Sequence, residues 1–325
     1  MGSGLFYYVR KIFSGKVLAA AMALGTFVVM LLSPESYLLA AERGFQLFTG
    51  SVLPTLVPFS FISSFLTTSG GAEILFKLLS KPSKKLFSGS GAAGYAFSLS
   101  LISGYPIGAK TVSELKVSRC ITYDDVLKIL AFTSTAGPLF ILGTVGVKFL
   151  GGEAGGVILL THIASTVLNG VLFGRGASGS EPKLTDDANF TKAFTRAISA
   201  TANTALSVAV SMIVFNVAAE LLAATKLPMA LGNLLQSAGI TDGGEAFMIG
   251  LVEMTLGCEM LSDTLPLRQS VPLISALVSF GGASVHMQSM YFLSDIEVKY
   301  SRFLFLKISQ AIFAYSIAQL LIFLL

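Results

Sequence analysis

Two apolar segments of the chain are interrupted by glycine and carry a basic residue at matching places. In one, Ser103-Gly104-Tyr105-Pro106-Ile107-Gly108-Ala109 leads into Lys110; in the other, Ser279-Phe280-Gly281-Gly282-Ala283-Ser284-Val285 leads into His286. A helix broken inside an apolar medium exposes unpaired N–H groups and about half a positive charge at each N-terminal end, and such ends hold carboxylates and other anions. Ser103 and Ser284 add hydroxyl donors, and Gly104, Gly281 and Gly282 let the backbone approach a guest closely. Tyr105 offers a flat ring and a hydroxyl, while Pro106 ends the helix; hairpin architecture and substrate binding both account for this pair. Lys110 reads as the counter-charge for an anionic guest, because intramembrane charge is costly and usually functional; the plainer reading is a lysine snorkelling to the surface. His286 reads as a ligand or proton carrier, or as a hydrogen-bonded packing residue.

Other residues add to this chemistry. Gly137-Pro138 breaks a further apolar run just after Thr133, Ser134 and Thr135, so freed carbonyls and hydroxyls gather at one depth. Such a break can coordinate a cation or a substrate; a proline kink satisfied by the hydroxyls is the alternative. Asn203, with Thr204, faces the same cavity or makes an interhelical hydrogen bond. Glu253 and Thr255 lie in an apolar stretch and are coupling-ion candidates, since burial raises a carboxyl pKa toward working pH. Glu259 reads as a wet-face residue, and Glu114 as a partner for Lys110 one turn away. His162 reads as packed within a span. Cys120 and Cys258, without CxxC spacing, imply neither a disulfide nor a metal site. No nucleophile elbow, phosphate-binding loop or HExxH string occurs, so no enzymatic activity is expected and no cofactor beyond a coupling H+ or Na+.

The elements that must position these residues follow from composition. Apolar residues make up 53% of the chain and charged residues only 12%, about half the charged share of soluble domains. The expected fold class is an all-α polytopic membrane protein in contact with the lipid bilayer. The scattered basic residues exclude nucleic-acid binding. The arms of the interrupted segments have roughly 10–12 residues, or about 15–18 Å of helix, against a hydrocarbon core of about 30 Å. Each is therefore expected to be a re-entrant hairpin turning at mid-membrane.

The expected order is an N-terminal membrane helix and loop over residues 1–43, the loop being 33–43. A first repeat over 44–173 follows, with an interfacial helix at 73–87 and a hairpin at 91–116. A polar linker occupies 174–193. The second repeat, 194–325, has an interfacial helix at 244–261 and a hairpin at 269–296. Lysine and arginine counts place the N-terminus inside, with Lys116 and Arg119 cytoplasmic and Arg43, Lys148, Lys226, Arg268, Lys299 and Arg302 on the far side. The second repeat is then an inverted copy of the first. Sliding Ser103 onto Ser279 also brings Gly108 onto Ser284 and Lys110 onto His286.

The strings Ser103–Lys110, Gly137-Pro138-Leu139-Phe140-Ile141-Leu142-Gly143-Thr144-Val145-Gly146 and Phe280–Gln288 resemble the YlbJ-type sporulation integral membrane proteins. These belong with the nucleoside-recognition or Gate-domain proteins, distant relatives of concentrative nucleoside transporters. The resemblance implies a small-molecule transporter of endospore formers that moves dipicolinic acid across the outer forespore membrane. Joined to the residues above, it gives a secondary-type transporter of a small aromatic anion that works by alternating access. A nucleoside transporter and a non-transporting structural or signalling protein of sporulation are the alternatives. A homo-oligomer is left open.

Overall fold

The structure, a computed structural model, describes residues 15–179, 189–237 and 242–324. Among them every regular element is helical. Helix α1 (Gly15–Leu32) is followed after one residue by α2 (Pro34–Leu47), a π-turn (Phe48–Val52) and α3 (Leu53–Thr68), which together form one 35-residue run. The loop expected at 33–43 is therefore helix: Pro34 stands in the first turn, where its missing N–H and fixed φ favour helix initiation. The amphipathic α4 (Ala72–Phe87) buries Ala72, Phe76, Ser83 and Phe87.

Helices α5 (Gly91–Ser103) and α6 (Ile107–Val117) pack against each other as a hairpin, with Gly104 at φ +75° in its turn. A Cβ on Gly104 would overlap Gly137, and one on Gly108 would overlap the Thr133 carbonyl. The hairpin thus lies against the next element, α7 (Tyr123–Thr133). Thr122 and Asp125 form a capping box at the start of α7. Residues 134–137 leave the helix, and a π-helix (Phe140–Phe149) follows. Then come α8 (Gly155–Phe173), α9 (Phe190–Ala224) and a short α10 (Leu227–Ser237). Of the linker expected at 174–193, residues 180–188 lie outside the described residues, and 190–193 already belong to α9.

The second half departs from expectation. The stretch read as an interfacial helix at 244–261 is two helices, α11 (Gly244–Val252) and α12 (Met254–Thr264), folded against each other. Glu253 is extended (φ −130°, ψ 105°), which reverses the chain. A Cβ on Gly257 would overlap the Cα of Gly250, so glycine at both positions lets the arms touch. The segment read as a hairpin at 269–296 is instead α13 (Leu267–Phe280) and α14 (Gly282–Leu293), part of a 30-residue apolar segment running to Ile296. Gly281 and Gly282, at φ +94° and +68°, interrupt this segment, and its two halves run on instead of packing side by side. It therefore corresponds to the broken Tyr123–Phe149 element. The order of short helix, hairpin, broken helix and long helix recurs in the two halves, ending in α15 (Tyr300–Leu324).

The Leu267–Ile296 segment also fixes which way the hairpins open. Thr264, at the open end of α11–α12, adjoins its start. Its far end lies beside the open end of the first hairpin: Tyr123 Oη donates to the Glu297 carbonyl at 3.1 Å. The hairpins open toward opposite ends of this segment. Lys299 and Arg302 consequently lie at the same end as Lys116 and Arg119, not the opposite one.

Among the described residues, five helical runs are long and apolar enough to cross a membrane. Leu267–Ile296 is 78% buried, against 22–39% for the others, so it is the central one. The outer helices are apolar outward and polar inward. Helix α8 exposes Leu160, Leu168 and Leu172 and buries Thr161, His162, Ser165, Thr166 and Asn169. Such a pattern suits lipid outside and a hydrogen-bonded interior, and the chain is an integral membrane protein.

Candidate functional site

The tip of the first hairpin, the break at 134–137 and the turn at Glu253 converge on a cavity containing roughly 630 Å³ of space free of protein atoms, part of it open to the outside. Ser103 and Tyr105 reach it from the first hairpin, Ala136 and Gly137 from the break, and Glu253, Met254 and Thr255 from the second hairpin. Val285 and Gln288 of α14 add to the wall, and Gln288 donates through Nε2 to Ser284 Oγ at 3.3 Å. The opposite wall comes from the α2–α3 run (Thr55, Leu56, Phe59) and from α9 (Val208, Met212). An apolar cavity with a few polar groups on one side is the usual form of a small-molecule site.

Behind Tyr105 stands Lys307 of α15, only 1% exposed. Its Nζ donates to Tyr105 Oη at 2.7 Å, to the Ser134 carbonyl at 2.7 Å and to Gln310 Oε1 at 2.8 Å. It also lies 4.9 Å from the centre of the Tyr105 ring, within cation–π range. Gln310 is held in turn, its Nε2 donating to Thr166 Oγ1 at 2.8 Å. Tyr105 thus lines the cavity and touches the buried Lys307 amine behind it.

His162 joins the breaks of the two broken helices. Its Nε2 accepts from the Ala136 N–H at 2.9 Å, and its Nδ1 lies 2.8 Å from Ser279 Oγ. Because Nε2 accepts, the neutral ring carries its proton on Nδ1 and donates it to Ser279. Glu253, 2% exposed, caps α12, with Oε2 accepting from the Leu256 N–H at 2.7 Å.

The residues expected at the site divide into two groups. Ser103, Tyr105, Gly137, Glu253 and Thr255 line the cavity. Gly104 backs Gly137, and Gly282 packs its backbone against the second turn at Gly250 and Met254. Gly281 sits by the Tyr105 ring, and Pro106 starts α6.

The others do structural work. Lys110 points away from the cavity, toward the α2–α3 run, and donates to Ser64 Oγ at 3.0 Å. Thr135 Oγ1 donates to the Ser100 carbonyl at 2.8 Å, and Ser100 Oγ donates to the Thr133 carbonyl, so these hydroxyls hold the break onto the first hairpin. Asn203 lies on the exposed face of α9 and not in the cavity, because neighbouring Thr204 takes the buried face. His286 donates through Nε2 to the Phe280 carbonyl at 2.8 Å and packs by Phe280, Tyr300 and Phe303. It spans the helix break as a brace. Ser284 is buried and bonded to Gln288.

Lys307 and Gln310 are absent from the residues picked out above. The signal was present: Lys307 is the one charged residue after Arg302, in an apolar run of more than twenty residues. A lysine there costs roughly 2.5–3.5 kcal/mol at mid-helix by insertion scales, so its presence marks a partnered position.

No family model matches the chain. It is similar to the sporulation integral membrane protein YlbJ of Bacillus subtilis (strain 168), at 24% identity over 335 aligned positions that cover 94% of this chain and 82% of that protein. Among solved structures it is similar to two double variants of CNTnw, each in an outward-facing state. One has 17% identity and a TM-score of 0.44, covering 94% of this chain and 83% of that one. The other has 18% identity and a TM-score of 0.45, covering 94% and 82%.

Proposed function

We propose that this integral membrane protein is a secondary-type transporter of a small, flat aromatic anion, and that dipicolinic acid is its leading substrate. The observation that carries the reading is the buried Lys307 ammonium held against Tyr105, where the first hairpin tip and the break at 134–137 meet beside a cavity. In a low-dielectric setting that charge raises the affinity of the cavity for a carboxylate. The Tyr105 ring and the apolar wall suit a planar guest. The counter-charge is then Lys307 in place of Lys110.

Alternating access follows from hairpins that open toward opposite ends of the central segment and meet at the cavity. In this reading the halves are inverted repeats, the hairpins are re-entrant, and the first hairpin enters from the cytoplasm. The N-terminus is cytoplasmic, and in a spore former the protein lies in the outer forespore membrane. The name of the Bacillus relative supports a role in sporulation. A nucleoside is the second candidate substrate, favoured by Glu253 and Gln288, whose acceptors suit sugar hydroxyls and base N–H groups.

Ligand-dependent thermal stabilisation of the purified protein separates the readings, since a ligand that binds only the folded state stabilises it by about 2.7 kcal/mol at a hundred times Kd. Dipicolinate should raise the melting temperature and be taken up by proteoliposomes. Stabilisation by uridine alone would favour the nucleoside reading. No shift with either would favour a structural protein of sporulation.

A further inference from the structure

We infer that Lys307 is a tethered cation standing where a free coupling ion would otherwise bind, so that the cavity takes its anion without Na+. The inference rests on the transporter reading for its consequence in transport, but the site stands on its own geometry. Carbonyls freed at a broken membrane helix are the usual ligands of a transporter's cation. Here the freed Ser134 carbonyl, Gln310 Oε1 and Tyr105 Oη form a ring of oxygens, and Nζ of Lys307 lies within 2.7–2.8 Å of each.

The three oxygens around Nζ suit an ammonium. Tyr105 has its own hydroxyl proton aimed at the Val278 and Ser279 carbonyls, at 3.3 and 3.4 Å. Its oxygen is therefore free to accept. An ammonium donates to all three oxygens, whereas a neutral amine would donate to two and take the Tyr105 hydroxyl proton on its lone pair. The titratable groups facing this place from the packed elements are Tyr105, His162 from α8 and His286 from α14. No carboxylate is among them, and the Lys77–Glu73 ion pair lies apart from it on α4. The cation is therefore balanced by dipoles and the Tyr105 ring, and its charge is left for a bound anion to neutralise.

Purified full-length protein provides the test. In wild type, dipicolinate affinity measured by calorimetry in NaCl and in choline chloride of equal ionic strength should agree within twofold. Lys307→Ala leaves the three oxygens around a vacated place, so Na+ or methylammonium should raise its melting temperature while leaving wild type unmoved. Lys307→Met fills the place and should show no such shift. A tenfold tightening of dipicolinate by Na+ in wild type would overturn the inference, as would a Lys307→Ala protein that folds and ignores both cations. If Lys307→Ala does not fold, the wild-type ion comparison decides alone. If wild type binds no dipicolinate, the substrate reading falls, and cation rescue of Lys307→Ala still decides the tethered-cation site.

Discussion

Removing the Tyr105 hydroxyl should weaken the protein through Lys307, and a double-mutant cycle measures by how much. Tyr105→Phe keeps the ring under the ammonium and deletes only the oxygen that lies 2.7 Å from Nζ. A hydrogen bond to a charged group contributes roughly 1.5–3 kcal/mol, so the coupling between Tyr105→Phe and Lys307→Met should be about 2 kcal/mol. Using Tyr105→Leu in the cycle adds the lost cation–π contact, for a further ~0.5–2 kcal/mol. The single effect of Lys307→Met has no fixed sign. It strands the Ser134 carbonyl and Gln310 Oε1 but also removes a buried charge. The coupling term cancels both contributions. Equilibrium unfolding in detergent micelles of wild type, both single variants and the double variant supplies the four free energies. Additivity within about 0.5 kcal/mol, the usual result for residues out of contact, would refute the Lys307–Tyr105 link and with it the charge behind the cavity wall.

Gly257→Ala places a methyl on the Gly250 backbone and should cost at least the ~1–3 kcal/mol typical of overpacking, with weaker ligand binding because the Glu253 turn shifts. Gly156→Ala, with open space at its Cβ, should be neutral or stabilising by up to ~1 kcal/mol in the same unfolding assay. Asp125→Ala removes the capping box and the bonds from Ser178 N–H and Oγ, which should lower stability by about 2–4 kcal/mol. Asn203→Leu, on the outer face of α9, should leave stability within ~0.5 kcal/mol and ligand binding unchanged. Single cysteines at Arg119 and Glu297 should label from one side of the membrane and a cysteine at Arg268 from the other; labelling of all three from one side would refute the crossing of the Leu267–Ile296 segment.

The helical membrane class was legible because apolar content and run length decide it without tertiary information. So was the first hairpin, where Gly104 and Pro106 interrupt a run too short to cross twice as helix. The second hairpin was not. Its signal is the Gly250–Gly257 pair, which permits two arms to touch but resembles ordinary helix glycine until the turn at Glu253 is known. The glycines at Gly281-Gly282 resembled a turn yet only interrupt a long apolar segment, because a left-handed residue at a helix end sets the local exit direction and not the path beyond it. Of the expected site residues, those on the hairpin tips reach the cavity because the turns themselves form its wall. Lys110 and Asn203 lie on helix faces whose rotation depends on neighbours far along the chain. Lys307 is linked to Tyr105 across 202 positions, a pairing that no local pattern encodes.

The imidazole of His162 gives the two interrupted helices a common fate. One ring nitrogen holds the backbone at Ala136 and the other holds Ser279, so neither interruption can be displaced alone without stranding a buried polar atom. The α2–α3 run and α9 share a small core of their own, built from Leu47, Phe48, Leu56, Val208 and Met212, and the cavity lies between that pair and the clasped helices. For a transporter, the seam along which the molecule parts to release a guest is therefore expected to run through the cavity itself, with the imidazole travelling as a rivet inside one of the two parts.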